Sequence, residues 1–350
     1  MKSIYNFSAG PAILHPSVVK ATSDATIEFQ DTGMSLMEMS HRSQPVVDMV
    51  GETENLVRKL LKLTDNYKVL FLQGGASLQF CMVPMNLLGE DQTADYTNTG
   101  TWSQKAINEA MIYGKVNVIS SSKDSNYNHI PKELTQSDNA QYLHLTSNNT
   151  IFGTQWNSFP TPMRKGSYLV ADMSSDIFSR EFDIKDFGLI YAGAQKNIGP
   201  AGVTLVIIRE SILQNVTRNI PTMMQYQTHI NKESMFNTPP VMSIYAVNQS
   251  LRWLDSIGGV SNMELKNKRK AKKLYDEIER NSLFNCPVHD DDRSIMNVPF
   301  VFNGKLDETS FLDYCADRGL YTLKGHRSVG GFRASIYNAC LLYTSDAADE

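Results

Sequence analysis

No apolar run in this chain approaches the roughly 20 residues needed to cross a bilayer, which argues against a membrane-spanning helix. Cysteine is scarce: Cys81, Cys286, Cys315 and Cys340 stand far apart and form no CxxC pair. A zinc site or a disulfide framework is therefore not expected, and reduced thiols in a cytosol fit better. Nor is there an HExxH, so no metal is assigned to the chain. Basic residues are in slight deficit, 33 against 37 acidic, and the net charge of −4 removes the electrostatic reason to expect a nucleic-acid partner. No GxGxxG follows a strand and no GxxxxGK[ST] occurs, so the dinucleotide and P-loop readings lack their signatures. The opening "MKSIYNFSAGPAIL" has neither a long apolar core nor a transit-peptide pattern, and a cytoplasmic location is expected.

What is present is an ordinary soluble composition, 41% hydrophobic and 20% charged, in a chain of 350 residues. That length favours one large and one smaller domain. Apolar runs alternate with helical patterns from about residue 55 to 255, the mark of an α/β layer structure. "KVLFLQ" (68–73) reads as a strand and "ASLQFCMVPMNLL" (76–88) as the helix after it. "TWSQKAINEAMIYG" (101–114) reads as a helix with Thr101 as its cap. Further strands are expected at "KVNVIS", "QYLHLT", "SYLVAD", "GLIYAG" and "GVTLVII". The short "AQKNIGPA" link between the last two predicts an antiparallel neighbour in an otherwise parallel sheet.

A long amphipathic helix spans 239–259 and ends in glycines. A charged helix, a strand "IMNVPFVF", a helix "DETSFLDYCADRG" and a final strand "GFRASIYNA" (331–339) follow. The basic run in 266–273 reads as a solvated helix face.

Two polar residues occupy strand ends, where ligands bind in α/β sheets: Asp172 closes "SYLVAD", and Lys196 stands just past "GLIYAG" among small residues. A lysine amine is a useful carbonyl nucleophile only when neutral, and its reference pKa of about 10.4 keeps it charged. Desolvation or a bound cofactor must solve that problem. Pyridoxal phosphate does so by holding the lysine as a Schiff base, and it needs a carboxylate beside its ring nitrogen. Alone, such a pair is more often a structural salt bridge.

Three other stretches supply the remaining parts. "LQGGASLQF" is a strand, a Gly-rich turn and a helix start, whose N–H groups near Ala76 and Ser77 suit a phosphate. Trp102 begins the next helix, where an indole can stack on a flat ring. Thr150, in the polar loop "SNNTIFGT", is available to the cofactor's phenolic oxygen.

"NFSAGPAILH", "SHRS", "QGGASLQF", "NTGTWS", "VADMSSDIFSR", "YAGAQKNIGPAGVTLVIIR", "NTPPVMSIY" and "RASIYNA" together resemble the phosphoserine aminotransferase family, class V aminotransferases of fold-type I, from residue 4 to about 339. The resemblance implies a large domain, 16–257, with a mostly parallel seven-stranded sheet. Residues 1–15 and 258–339 would form a smaller α+β domain. It further implies that Lys196 forms the Schiff base, that Asp172 pairs with the pyridinium nitrogen, and that Trp102 stacks on the ring. Thr150 would meet the ring hydroxyl, while Ala76, Ser77 and Gln195 would contact the cofactor phosphate. Asn237 and Thr238 would reach the phosphate of a neighbouring subunit's cofactor, which implies a homodimer.

Phosphoserine carries two anionic ends, and arginine binds oxyanions through paired hydrogen bonds. By the same resemblance Arg333 would hold the α-carboxylate. His41 with Arg42, and His326 with Arg327, would receive the phosphate, or the side-chain carboxylate of glutamate in the half-reaction with 2-oxoglutarate. Use of 4-phosphooxy-L-threonine, from vitamin B6 synthesis, stays open. So do a serine–glyoxylate-type aminotransferase, a desulfurase and a non-catalytic phosphate-binding relative. The ending "CLLYTSDAADE" (340–350) does not resemble the family's terminal helix, and is expected to be a non-native tail on a truncated frame in which Cys340 has no role.

Overall fold

The computed structural model describes residues 4–340. In chain order it begins with β1 (Tyr5–Asn6), α1 (Pro16–Ile27), α2 (Gln44–Leu60), β2 (Tyr67–Leu72), α3 (Gly75–Leu87), β3 (Thr93–Asn98) and α4 (Thr101–Ala110). Strands β4 (Lys115–Ser121), β5 (Ala140–Thr146), β6 (Tyr168–Asp172), β7 (Phe187–Gly193) and β8 (Thr204–Arg209) complete the central sheet. Its seven strands run in the order β2-β8-β7-β6-β5-β3-β4. β8 pairs antiparallel with both neighbours, as the short link after "GLIYAG" predicts, and the other pairings are parallel.

Every residue of β7 is buried, which is why it reads as one continuous apolar run rather than an alternating one. Alternate residues of the strands serve opposite faces. Leu143, Leu145, Ile190 and Ala192 pack under α1 and α2, with α6 (Val241–Ser256), which follows the short α5 (Tyr226–Asn231), on the same side. Tyr142, Tyr191, Val206 and Ile208 pack on the other side, under α3 and α4. A side chain such as Val57 or Ile207, wholly enclosed in the first of these layers, contributes about 1.5–3 kcal/mol relative to exposure.

The chain then leaves the large sheet through α7 (Gly259–Arg280), followed by β9 (Phe284–Asn285), β10 (Asn297–Phe302), α8 (Glu308–Asp317), β11 (Leu320–Tyr321) and β12 (Phe332–Ser335). A three-stranded antiparallel sheet, β12-β10-β9, carries a separate core of Tyr275, Val298, Phe300 and Phe332. Cys340 is half-buried against that core, and the rest of the expected tail lies outside the described residues. β1 pairs in parallel with β11, Tyr5 against Leu320, which brings the first described residues to this sheet's side of the molecule.

Three local expectations are corrected. Gly100, not Thr101, caps α4: the Ser103 hydroxyl oxygen accepts from the Gly100 N–H at 2.9 Å and the Thr99 N–H at 3.0 Å. The final strand is shorter than "GFRASIYNA", because only Phe332–Ser335 pair with β10. In the basic run of α7, Lys270 is buried rather than solvated. Its amine donates to the carbonyls of Ile336 and Tyr337 at 3.0 and 2.7 Å, and burial pushes it down to about 8.

Candidate active site

The carboxyl ends of β2, β3, β5, β6 and β7 lie along one edge of the sheet, and the residues following each strand gather there. Asp172 ends β6 and is buried, its carboxylate accepting from the backbone N–H and the hydroxyl of Ser174 at 2.9 and 2.6 Å. Burial raises its pKa, and the nearby Lys196 charge acts against that rise.

Lys196 follows the end of β7. Its amine donates to the Thr150 hydroxyl at 2.7 Å and lies 5.5 Å from the centre of the Trp102 ring. Burial brings this amine down to about 8, with the Asp172 charge opposing the fall and the Arg333 charge adding to it. Thr150 is buried, and its carbonyl accepts from the Arg333 guanidinium at 3.1 Å. That bond ties β12 of the smaller sheet to the loop after β5.

The "SAGPA" stretch explains itself against this geometry. Ala12 N–H donates to the Gln195 carbonyl at 2.9 Å, and a Cβ on Gly10, whose φ is +146°, would stand 3.2 Å from Lys196 Cγ. The small residues after the lysine serve a different end. A Cβ on Gly199 would meet Val247 at 2.7 Å, and one on Gly202 would meet Ser243 at 2.7 Å, so these glycines admit α6 rather than clear space for the amine.

At the Gly-rich turn, Gly74 takes φ +87° just before α3, and Gly75, the helix's first residue, takes φ +66°. The first-turn N–H groups of Gly75, Ala76 and Ser77 have no acceptor among the described residues, and space beside Gly75 is open. Those donors open a helix of thirteen residues.

Arg333 is half-buried, with its Nε enclosed and unpartnered. Neither it nor Arg327 has an ion pair among the described residues. His326 is half-buried and accepts from or donates to the Ser328 hydroxyl at 2.7 Å. Burial, then the charges of Arg333, Arg327 and Lys105, push its pKa down. Sequence reasoning did not single out Lys105, one helical turn beyond Trp102, whose charge acts on His326; an exposed helix lysine looks like any solvated one. Ser174 was missed too, although a serine two residues after a strand-end aspartate is a recognisable turn partner.

The structure thus brings Asp172, Lys196, Thr150, Trp102, Gln195, Arg333, His326 and Arg327 to one edge. His41 and Arg42 precede α2: His41 is buried with its Nε2 unpartnered, Arg42 is exposed, and among the described residues no hydrogen bond or ring contact joins either to that group. Asn237 and Thr238 are exposed before α6, with the Thr238 carbonyl accepting from Gln73 at 3.2 Å beside the Gly-rich turn.

The family model for aminotransferase class-V matches residues 4–341. The chain belongs to that family. Among curated relatives, a phosphoserine aminotransferase of Parabacteroides distasonis is 52% identical over 337 residues, covering 96% of this chain and 94% of the relative. The solved phosphoserine aminotransferase of Bacillus circulans subsp. alkalophilus superposes with a TM-score of 0.93 at 46% identity, covering 97% of this chain and 94% of that one. A PLP-bound phosphoserine aminotransferase of Trichomonas vaginalis superposes with a TM-score of 0.92 at 38% identity, covering 99% and 98%.

The class-V family implies pyridoxal 5′-phosphate, and the residues present fit it. Unspent N–H donors at the α3 N-terminus suit a phosphate. The buried Asp172 carboxylate suits a protonated ring nitrogen, and the half-buried, easily neutralised Lys196 amine suits an aldehyde. Among the described residues no group of His, Cys, Asp or Glu could hold a metal ion, the four cysteines are free thiols, and no helix is long and apolar enough to cross a membrane.

Proposed function

We propose that this class-V aminotransferase exchanges the amino group of O-phospho-L-serine with 2-oxoglutarate, reversibly, giving 3-phosphooxypyruvate and L-glutamate. The observation that carries the reading is the grouping of unpaired Arg333 and Arg327 with His326 around the Lys196–Thr150 pair. A substrate with two separated anions answers both sets of charges.

Ala76 and Ser77 would hold the cofactor phosphate with Gln195, Trp102 would cover one face of the ring, and Thr150 would meet its hydroxyl. When bound, the cofactor supplies an electron sink for the substrate's Cα–H bond. The remaining work belongs to the chain. Arg333 grips the α-carboxylate in a fork geometry that lysine cannot reproduce. Asp172, oriented by its two bonds from Ser174, holds a ring N–H, and that cationic partner reverses the upward pull of burial. Lys196, free of its ordinary strong basicity, moves a proton at the substrate α-carbon.

The chain divides, in this reading, into a cofactor-binding unit, 16–257, and a smaller unit of 1–15 with 258–339. Support comes from the separate core around Phe300 and Phe332. The protein works in the cytoplasm as a homodimer. Exposed Asn237 and Thr238, and exposed Arg42 beside His41, then complete the partner's site. Turnover assays with phosphoserine, serine and alanine test the assignment: phosphoserine is used at least about tenfold better than either, because losing a paired anion removes about 1.4 kcal/mol or more of transition-state binding. Equal use of serine would overturn it.

A further inference from the structure

We propose that Lys105 is a further cation of the substrate pocket and that it sets the preference for a phosphate over a carboxylate at the substrate's far end. The inference rests on the transamination reading above. Trp102 and Lys105 are three residues apart on α4 and therefore share a helix face. The Lys105 amine lies 4.7 Å from the centre of the Trp102 ring, the same indole that the Lys196 amine approaches to 5.5 Å. Lys105 is thus tethered beside the reacting edge and not merely somewhere on the surface.

Its charge is also unspent. Glu109, one turn further on, is the acid that would ordinarily pair with a lysine at this spacing. Glu109 instead receives the Cys81 thiol at 3.3 Å, and Lys105 has no ion pair among the described residues. The charges of Arg333, Arg327 and Lys105 all act on His326. Like charges held together cost free energy that a bound anion recovers. With Arg333 given to the α-carboxylate, Lys105 joins Arg327 and His326 at the far end, alongside the Arg42 and His41 that a second copy would supply.

The two donors differ there in charge. A phosphate monoester carries about −1.5 to −2 near neutrality, and the glutamate side chain carries −1. One fixed cation acts on a dianion with twice the Coulomb free energy it exerts on a monoanion at the same distance. The fold-loss on removing that cation is then the square of the smaller one.

The experiment is a half-reaction titration of the cofactor-loaded enzyme, followed by absorbance, with phosphoserine and with glutamate. Wild type, Lys105→Met and Lys105→Arg are compared. Lys105→Met weakens phosphoserine binding about tenfold and glutamate binding about threefold, while Lys105→Arg stays within about twofold of wild type for both. Equal losses for the two donors, or no loss, overturn the assignment. So does loss of the cofactor absorbance in Lys105→Met, which would make Lys105 a support for Trp102 instead. A wild-type enzyme that transaminates other amino acids but not phosphoserine would defeat the functional reading itself, and is distinguished by needing no variant.

Discussion

Lys196 and Thr150 share a 2.7 Å hydrogen bond, donated by the amine to the hydroxyl. The same threonine's carbonyl accepts from Arg333 at 3.1 Å, so one residue of the loop after β5 holds both the Lys196 amine and the guanidinium proposed to meet the substrate. The Lys196 amine and the Arg333 guanidinium are therefore both tied to one buried residue, through its side chain and its backbone.

The Lys196 amine must be neutral to attack an aldehyde, and burial brings it to about 8. Capture of pyridoxal phosphate by the cofactor-free protein should accelerate as pH rises through about 8 and then level. The Asp172 charge raises this amine against burial, so Asp172→Asn should move the curve to lower pH. Stopped-flow absorbance at a series of pH values checks both. A shift to higher pH in the variant would contradict the electrostatic account.

Arg333→Leu removes the guanidinium but none of the cofactor ligands. The expected result is an apparent affinity for phosphoserine and glutamate weakened by about a hundredfold, the loss of a paired, charge-assisted contact. The cofactor absorbance should persist. Steady-state kinetics with both donors measure this, and unchanged affinity would refute the role of Arg333.

Asn297, fully buried on β10, accepts from the Asn148 side chain at 2.7 Å and donates to the Ser335 and Tyr337 hydroxyls at 3.0 and 3.2 Å. It joins the loop bearing Thr150 to the strand bearing Arg333. Asn297→Ala should cost about 2–4 kcal/mol, because it leaves several enclosed polar groups without partners. Urea unfolding measures the loss, and a change below about 0.5 kcal/mol would show the network to be dispensable.

Much of the large sheet was legible because its logic is local. Each strand and the helix after it lie within a few tens of residues, and β7 announces itself as an unbroken apolar run ending near Lys196. Asp172 and Lys196 were legible for the same reason, since a polar residue at a strand end stands out. The pairing of β1 with β11 was not, because two residues at each end of the chain carry no periodicity. Helices α1 and α2 went unread ahead of β2, although α2 has a clear apolar stripe, Val46, Met49, Val50 and Val57, facing α6. The burial of Lys270 was also hidden: the other basic residues of the run are exposed, and only the carbonyls of Ile336 and Tyr337, far along the chain, explain its position.

The central claim is that the amine of residue 196 is the one that takes up the cofactor. Borohydride reduction of the protein loaded with pyridoxal phosphate, followed by peptide mass mapping, tests it directly. The account predicts a pyridoxyl mass on the peptide carrying Lys196 and none in a folded Lys196→Ala variant. A label on Lys105 or Lys270 instead, or no label on a protein whose fold is intact, would contradict it.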